Sequence, residues 1–413
     1  DHRDLHSFPT RRSSDLSTTA VSIGSQVMHM LTVMIVGLAM GATVSIGQSI
    51  GAGDKKRASV FVGNTVILFM GISLVLAVLL LFFVKPAVAV MSTPTEAVSG
   101  TAAYLTICFL GIPFITAYNV ISSIFRGLGD SKSPMYFIAV ACAVNIILDY
   151  LFIGFFHLGA SGAALGTTLS QACSVLFALI AIKRKQTGLS LSGDCFRPQK
   201  KPLGKILNIG IPVALQDGFI QIAFIIITII ANRRGLNAAA AVGIVEKIIS
   251  FLFLIPSSML STVSALAAQN IGAGKYDRAK QTLRYAMLIA IRFGLVVSIL
   301  IQFIAAPVVG LFTADAAVIL LGAQYIRGYI WDCIFAGVHF SFSGYFCACG
   351  RSGISFLHNL IAILCVRIPG VYLTSKIFPH TLFPMGLATA TGSLLSVIIC
   401  IIAYRWLCEK SGK

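Results

Sequence analysis

Apolar runs of 20 or more residues recur down this chain, separated by short polar links. They lie at 19–47, 59–84, 97–121, 132–154, 160–182, 205–231, 236–266, 281–307, 317–343, 353–375 and 382–406. About 20 residues of helix cross the roughly 30 Å of a bilayer's hydrocarbon, so the pattern predicts eleven membrane helices. The runs are continuous and do not alternate with period two, which argues against a membrane barrel. Their number and the charge-poor links between them argue against buried helices of a large soluble protein.

The pattern also repeats. Gln48-Ser49-Ile50-Gly51-Ala52-Gly53 returns 221 residues later as Gln269-Asn270-Ile271-Gly272-Ala273-Gly274. At the same offset Tyr104 meets Tyr325, Phe125 meets Phe346, Gly129 meets Gly350 and Ser131 meets Ser352. Two related halves are therefore expected. The helix at 205–231 opens the second half, and its counterpart in the first would fall almost wholly before residue 1. A 6 + 6 arrangement with parallel repeats and its first helix missing is the expected architecture, against a native eleven-helix rival. Residues 1–16 are polar, and Arg12-Ser13-Ser14-Asp15-Leu16 reads like a translated sequencing-adapter end. That stretch is set apart as non-native. The expected domains are 17–183 (helices 2–6), a basic linker at 184–204, 205–407 (helices 7–12) and a tail at 408–413.

Composition fixes the class. Mean hydropathy is +0.90 and 11% of residues are charged, against about 25% in soluble domains. The net charge of +17 raises nucleic acid as a partner, but its distribution points elsewhere. With the 183–205 region cytoplasmic, alternation puts twenty Lys and Arg on that side, and Lys85, Arg233, Arg234 and Lys376 on the other. This is the positive-inside bias, so the charge orients the chain and attracts anionic lipid. Ten cysteines and seven histidines show no metal, haem or redox spacing, and no compact catalytic cluster appears. Neither an enzyme nor a cofactor is expected.

The repeated glycine segments end long helices, and Gly51, Gly53, Gly272 and Gly274 are read as structural turns with left-handed helix ends. No Gly-Lys-Ser/Thr follows, as a phosphate loop would require. Pro113, Pro212 and Pro369 are read as helix kinks, with Pro256 and Pro384 as further interruptions. Four acids stand inside apolar runs: Asp149, Asp217, Glu246 and Asp332. An unpaired charge at the bilayer centre costs at least about 2.5 kcal/mol, so each should face protein or water. Asn145 and Asp149 are i,i+4 neighbours on one helix face. A carboxylate beside neutral oxygen ligands suits sodium, and with a raised affinity it suits a proton; a helix-end cap is the competing reading. Asp217 follows Gln216 in the first helix of the second half, where the pair suits a cationic substrate or a proton. Glu246 and Asp332 are candidates of the same kind, and Arg367 is read as neutralising an acid or snorkelling.

Together the Gln-x-Ile-Gly-Ala-Gly turns, the Asn145/Asp149 face, the link Phe125-Arg126-Gly127-Leu128-Gly129-Asp130 and Gly210-Ile211-Pro212 resemble the multidrug and toxic compound extrusion (MATE) family, from Ser17 to about Cys408. The resemblance implies an all-α protein of two six-helix lobes. It also implies alternating-access export of amphipathic cationic compounds in exchange for sodium or protons. Asn145 and Asp149 match the asparagine and aspartate of the family's amino-lobe cation site. The acid of the family's first helix has no counterpart here. The expected setting is a prokaryotic cell membrane, with both termini of the intact protein cytoplasmic and a monomer as the working unit. The alternative is a flippase for a lipid-linked saccharide.

Overall fold

The computed structural model describes residues 7–90, 95–184, 189 and 192–411. The first six residues of the 1–16 segment, parts of the 184–204 linker and the last two residues of the tail lie outside them. The chain divides into two compact units, one with residues up to Ile46 plus Asp54–Ile206, the other with Gly47–Gly53 plus Leu207–Lys413.

In the first unit, α1 runs Ser7–Gly51 and so begins within the segment that the sequence sets apart. It is followed by α2 (Lys55–Phe82), a short α3 (Val84–Val90) and α4 (Val98–Gly127). Next come α5 (Lys132–Asp149), which widens without a break into a π turn at Tyr150–Phe155, and α6 (Gly159–Arg184). Carboxylates start two of these helices by capping free N–H groups. Asp54 Oδ1 accepts from Arg57 N, and Asp130 Oδ1 accepts from Lys132 N and Ser133 N. α4 packs between α2 and α6. Its Tyr104, Leu105, Cys108, Phe109 and Ile112 form a core with Ala20 and Met28 of α1 and Ala160 and Ala164 of α6. The linker is fastened to this unit by one fully buried side chain on α2. Asn64 Nδ2 donates to the carbonyls of Cys195 and Arg197, and Asn64 Oδ1 accepts from Gln199 N at 2.7 Å.

The second unit contains most of α7 (Lys200–Asn232), then α8 (Leu236–Leu252), α9 (Leu254–Gly272) and α10 (Tyr276–Gly310). It continues with α11 (Ala316–Tyr329), α12 (Asp332–Ala348) and α13 (Ser352–Ala362), then a π turn at Ile363–Arg367, α14 (Ile368–Ile377) and α15 (Phe383–Ser411). α12 is central: it packs on α9, α10, α13 and α15 and is buried along almost its whole length. Gly337 and Gly344 let Ala290 of α10 and the Leu260 carbonyl of α9 come close. Pro256 explains the interruption between α8 and α9, because it falls in the first turn of α9, where no N–H partner is needed.

Among the described residues ten helices are long and apolar enough to cross a membrane. The expected continuous helix at 317–343 differs: it is two pieces, α11 and α12, separated at Ile330 and Trp331. Hydropathy cannot register that break, since both residues are apolar. Pro113 and Pro212 lie inside α4 and α7, and Pro369 stands at the start of α14, just past the π turn.

The repeated glycines divide by role. Gly53 and Gly274 are left-handed, with φ of 74° and 71°, as are Gly129 and Gly350 at 90° and 71°. Gly51 and Gly272 are instead the last helical residues of α1 and α9. Their lack of a side chain serves close approach, since a Cβ at Gly51 would overlap the Gln269 carbonyl and one at Gly272 the Gln48 carbonyl. The expectation of left-handed geometry at all four is corrected on that point.

Candidate functional site

Each unit holds one intramembrane carboxylate site that can be built up from its helices. In the first unit the last two turns of α5 bring Asn145 and Asp149 together. Asn145 Nδ2 donates to Asp149 Oδ1 at 3.4 Å, a long contact that leaves the carboxylate weakly held. The facing position on α6 is Gly166, where a Cβ would overlap Asp149 Oδ1 and crowd Asn145 Nδ2. That notch gives the carboxylate its room. Tyr104, buried on α4, is its titratable neighbour and is followed one turn later by Cys108. Further polar atoms line the α4–α6 packing: Thr116 Oγ1, Thr168 Oγ1 and Gln171 Oε1 are buried and have no partner among the described residues. The π turn begins at the residue after Asp149, and wide turns of this kind recur at functional sites.

In the second unit the structure gives two of the three acids singled out in its sequence a partner, each separately. Asp332, fully buried in the first turn of α12, accepts from Arg367 Nη2 at 2.6 Å. Arg367 ends the π turn, and its guanidinium lies over the Phe224 ring of α7 at 5.8 Å. The neutralising role read for Arg367 thus has an identified partner. Tyr325 and Tyr329, one turn apart on α11, are fully buried with their rings 5.6 Å apart, edge to face. Glu246 on α8 has its carboxylate oxygens 3.1 and 3.2 Å from Thr228 Oγ1 of α7. The same hydroxyl lies 3.0 Å from the Phe224 carbonyl, so one proton serves competing acceptors. Lys247 is exposed and takes no part in this site. Tyr325 Oη, Tyr329 Oη, Asp332 Oδ1 and Arg367 Nε are buried without partners among the described residues.

Asp217 stands apart from these contacts. It is half-buried on α7 beside Gln216, whose Oε1 accepts from Ser355 Oγ of α13 at 2.5 Å. Sequence reasoning missed Thr228, Tyr325 and Tyr329, and it missed that His339 and His358 meet, with ring centroids 5.7 Å apart. Hydroxyl and imidazole side chains in an apolar helix carry no positional signal of their own. Among the described residues no three His, Cys, Asp or Glu side chains are grouped to hold a metal ion. The pair Arg233-Arg234, the exception to the charge bias, has a local explanation in the half-buried Arg234. It donates to the carbonyls of Phe378, Pro379 and Thr381 and so staples the link between α14 and α15.

A family profile described as MatE matches residues 8–151 and 212–373. Similar proteins include "Probable multidrug resistance protein YpnP" of Bacillus subtilis (strain 168), 29% identical over 94% of this chain and 86% of that protein. "Multidrug export protein MepA" of Staphylococcus aureus (strain N315) is 28% identical over 88% of this chain and 80% of its own. Among solved structures, a MOP superfamily transporter from Pyrococcus furiosus superposes with a TM-score of 0.91 at 21% identity, over 99% of this chain and 93% of that one. A multidrug resistance MATE family transporter in an outward-facing conformation gives 0.90 at 22% identity, over 96% and 88%. At these identities the structures establish a shared fold.

Proposed function

We propose a transport function on the premise that this chain belongs to the MatE family. It is a multi-pass membrane protein and, by family, a transporter rather than an enzyme. It exports lipophilic, mostly cationic compounds across a prokaryotic cell membrane by alternating access, in exchange for sodium ions or protons. The eleven crossings of this chain, α11 and α12 together forming one, follow a plan of two parallel six-helix repeats whose intact form has both termini cytoplasmic, and a monomer is the working unit.

The observation that carries it is the Asn145/Asp149 pair against the Gly166 notch. A carboxylate with one long hydrogen bond and an open side can take an incoming cation, and its neutralisation removes the cost of a charge in the membrane. Binding at the end of α5, where the backbone already leaves regular helix geometry, couples that change in charge to helix packing. Glu246, Asp332, Asp217 and Gln216 are the candidates for meeting cationic cargo or a proton. The saccharide flippase has no observation in its favour, since both polar sites centre on carboxylates.

Proteoliposomes holding the full-length protein test the reading. Ethidium flux against imposed sodium and proton gradients should be coupled to one of them, and Asp149→Asn should abolish the coupling while leaving ethidium binding measurable. Undiminished coupled flux in that variant removes Asp149 from the role.

A further inference from the structure

Along the exposed side of α2 runs a groove that neither carboxylate site uses. It lies within the first unit, between α2 and the first turn of α7. Its walls include Leu68, Gly71, Ile72, Val75 and Leu79 of α2 and Leu203 of α7, and every side chain that lines it is apolar. From Ile67 to Leu79 the groove rises about 18 Å along the helix, close to the roughly 15 Å of hydrocarbon in one leaflet. Gly71 makes the room. It is exposed in the middle of α2, where glycine is disfavoured against alanine. A Cβ there would meet nothing within 4 Å, so no packed neighbour calls for its small size. The opposite wall is fixed in place: Asn64 Oδ1 accepts from Gln199 N at 2.7 Å, and the Gln199 carbonyl accepts from Leu203 N at 3.1 Å.

Two cations meet on the stripe of α2 that leads into the groove. Arg57 Cζ lies 5.8 Å and Lys205 Nζ 5.6 Å from the centroid of the Phe61 ring. Helical periodicity puts Phe61 on the same face as Leu68, Ile72 and Leu79. The ring gives each cation a face to lie on but no opposite charge. Among the described residues the acids at this end are engaged. Asp54 Oδ1 accepts from Arg57 N, and Asp194 pairs with Arg197 at 3.4 Å. Lys55, Lys56, Lys200 and Lys201, all exposed, add to the positive charge.

We propose that this groove is a binding site for one anionic phospholipid, its phosphate held between Arg57 and Lys205 and one acyl chain laid along α2 over Gly71. The inference needs only the membrane setting and stands apart from the transport reading. Charge complementarity selects the occupant. An apolar groove alone takes any acyl chain, whereas guanidinium and ammonium together call for an anion at its end, where both donate to phosphate oxygens. A second copy of this chain, with 31 Lys and Arg against 14 Asp and Glu, brings the wrong sign.

The test uses the full-length protein in phosphatidylcholine nanodiscs doped with a phosphatidylglycerol that carries a diazirine on one acyl chain. A phosphatidylcholine with the same chain is the neutral probe. After illumination, adducts are mapped by peptide mass spectrometry on residues 67–79 and, as a reference for bulk lipid, on the exposed face of α10 around Val296, Leu300 and Phe303. Relative to α10, the anionic probe should label 67–79 at least about tenfold more than the neutral one, each cation contributing about a factor of five. Arg57→Gln with Lys205→Gln should remove that preference. Gly71→Leu puts its side chain into open space, so the fold is kept. It should remove labelling of 67–79 by both probes while labelling of α10 stays, and it decides the matter should the double variant fail to fold. Equal labelling by the two probes in wild type is bulk lipid alone and overturns the proposal, as does unchanged labelling in Gly71→Leu. Absence of both labels from 67–79 in wild type means that protein covers the groove, and overturns it equally.

Discussion

Removing one member of the Asp332–Arg367 pair should destabilise the second unit by an amount that depends on which member goes. Breaking a buried ion pair costs about 3–5 kcal/mol, because the remaining charge is left without a partner. The two remainders are not equivalent here. Asp332 lies in the first turn of α12, where the helix dipole favours an anion by about 1 kcal/mol. Arg367 lies inside the continuous helical run Ser352–Ile377, so no helix end offsets its charge. Arg367→Met should therefore cost about 2–4 kcal/mol, and Asp332→Leu should cost more, about 3–5. In a unit of about 200 residues each kcal/mol moves the midpoint by about 2–4 °C, so shifts near 10 °C are expected. Cys333, Cys347 and Cys400 are buried and free in this unit. They make thermal unfolding readable by a fluorogenic maleimide, over a background from the exposed Cys142 and Cys365. The double variant Asp332→Leu/Arg367→Met should recover to within about 2 kcal/mol of wild type, since no charge remains buried. A midpoint for Arg367→Met within 2 °C of wild type, or the opposite order of the single variants, would refute the reasoning (about 2 °C being the shift from 1 kcal/mol).

Gly166→Ala should push the Asp149 carboxylate from its notch at a cost of about 1–3 kcal/mol, with coupled ion flux falling about tenfold or more and ethidium binding preserved. Asn64→Ala should release the linker from α2, and its lost buried hydrogen bonds, about 1–3 kcal/mol each, should speed trypsin cleavage after Lys200 at least about tenfold. Arg234→Ala should unfasten the link between α14 and α15, seen as faster hydrogen–deuterium exchange at 378–383 with unchanged exchange in α2.

Much of the fold was legible because a membrane segment announces itself by length and hydropathy, and the glycine repeat marked where segments turn. Asn145 and Asp149 were legible for a local reason, since i,i+4 spacing on one helix fixes their proximity without knowledge of the rest. The partner of Arg367 was not, because Asp332 lies 35 residues away and is met only through packing. Gly166 and Asn64 were invisible for a related reason. Each matters through what faces it, a carboxylate or a linker backbone, and sequence spacing carries no information about facing helices. Gly51 was legible as important but misread in role, because helix-end turns and close backbone crossings both call for the same residue.

The π turn after Asp149 is a one-residue dislocation in an otherwise regular helix. A single extra residue per turn rotates everything beyond it by about 100° relative to α-helical periodicity. A cysteine scan or helical-wheel design that counts through Tyr150–Phe155 without this phase shift will place the residues beyond it about 100° out of register.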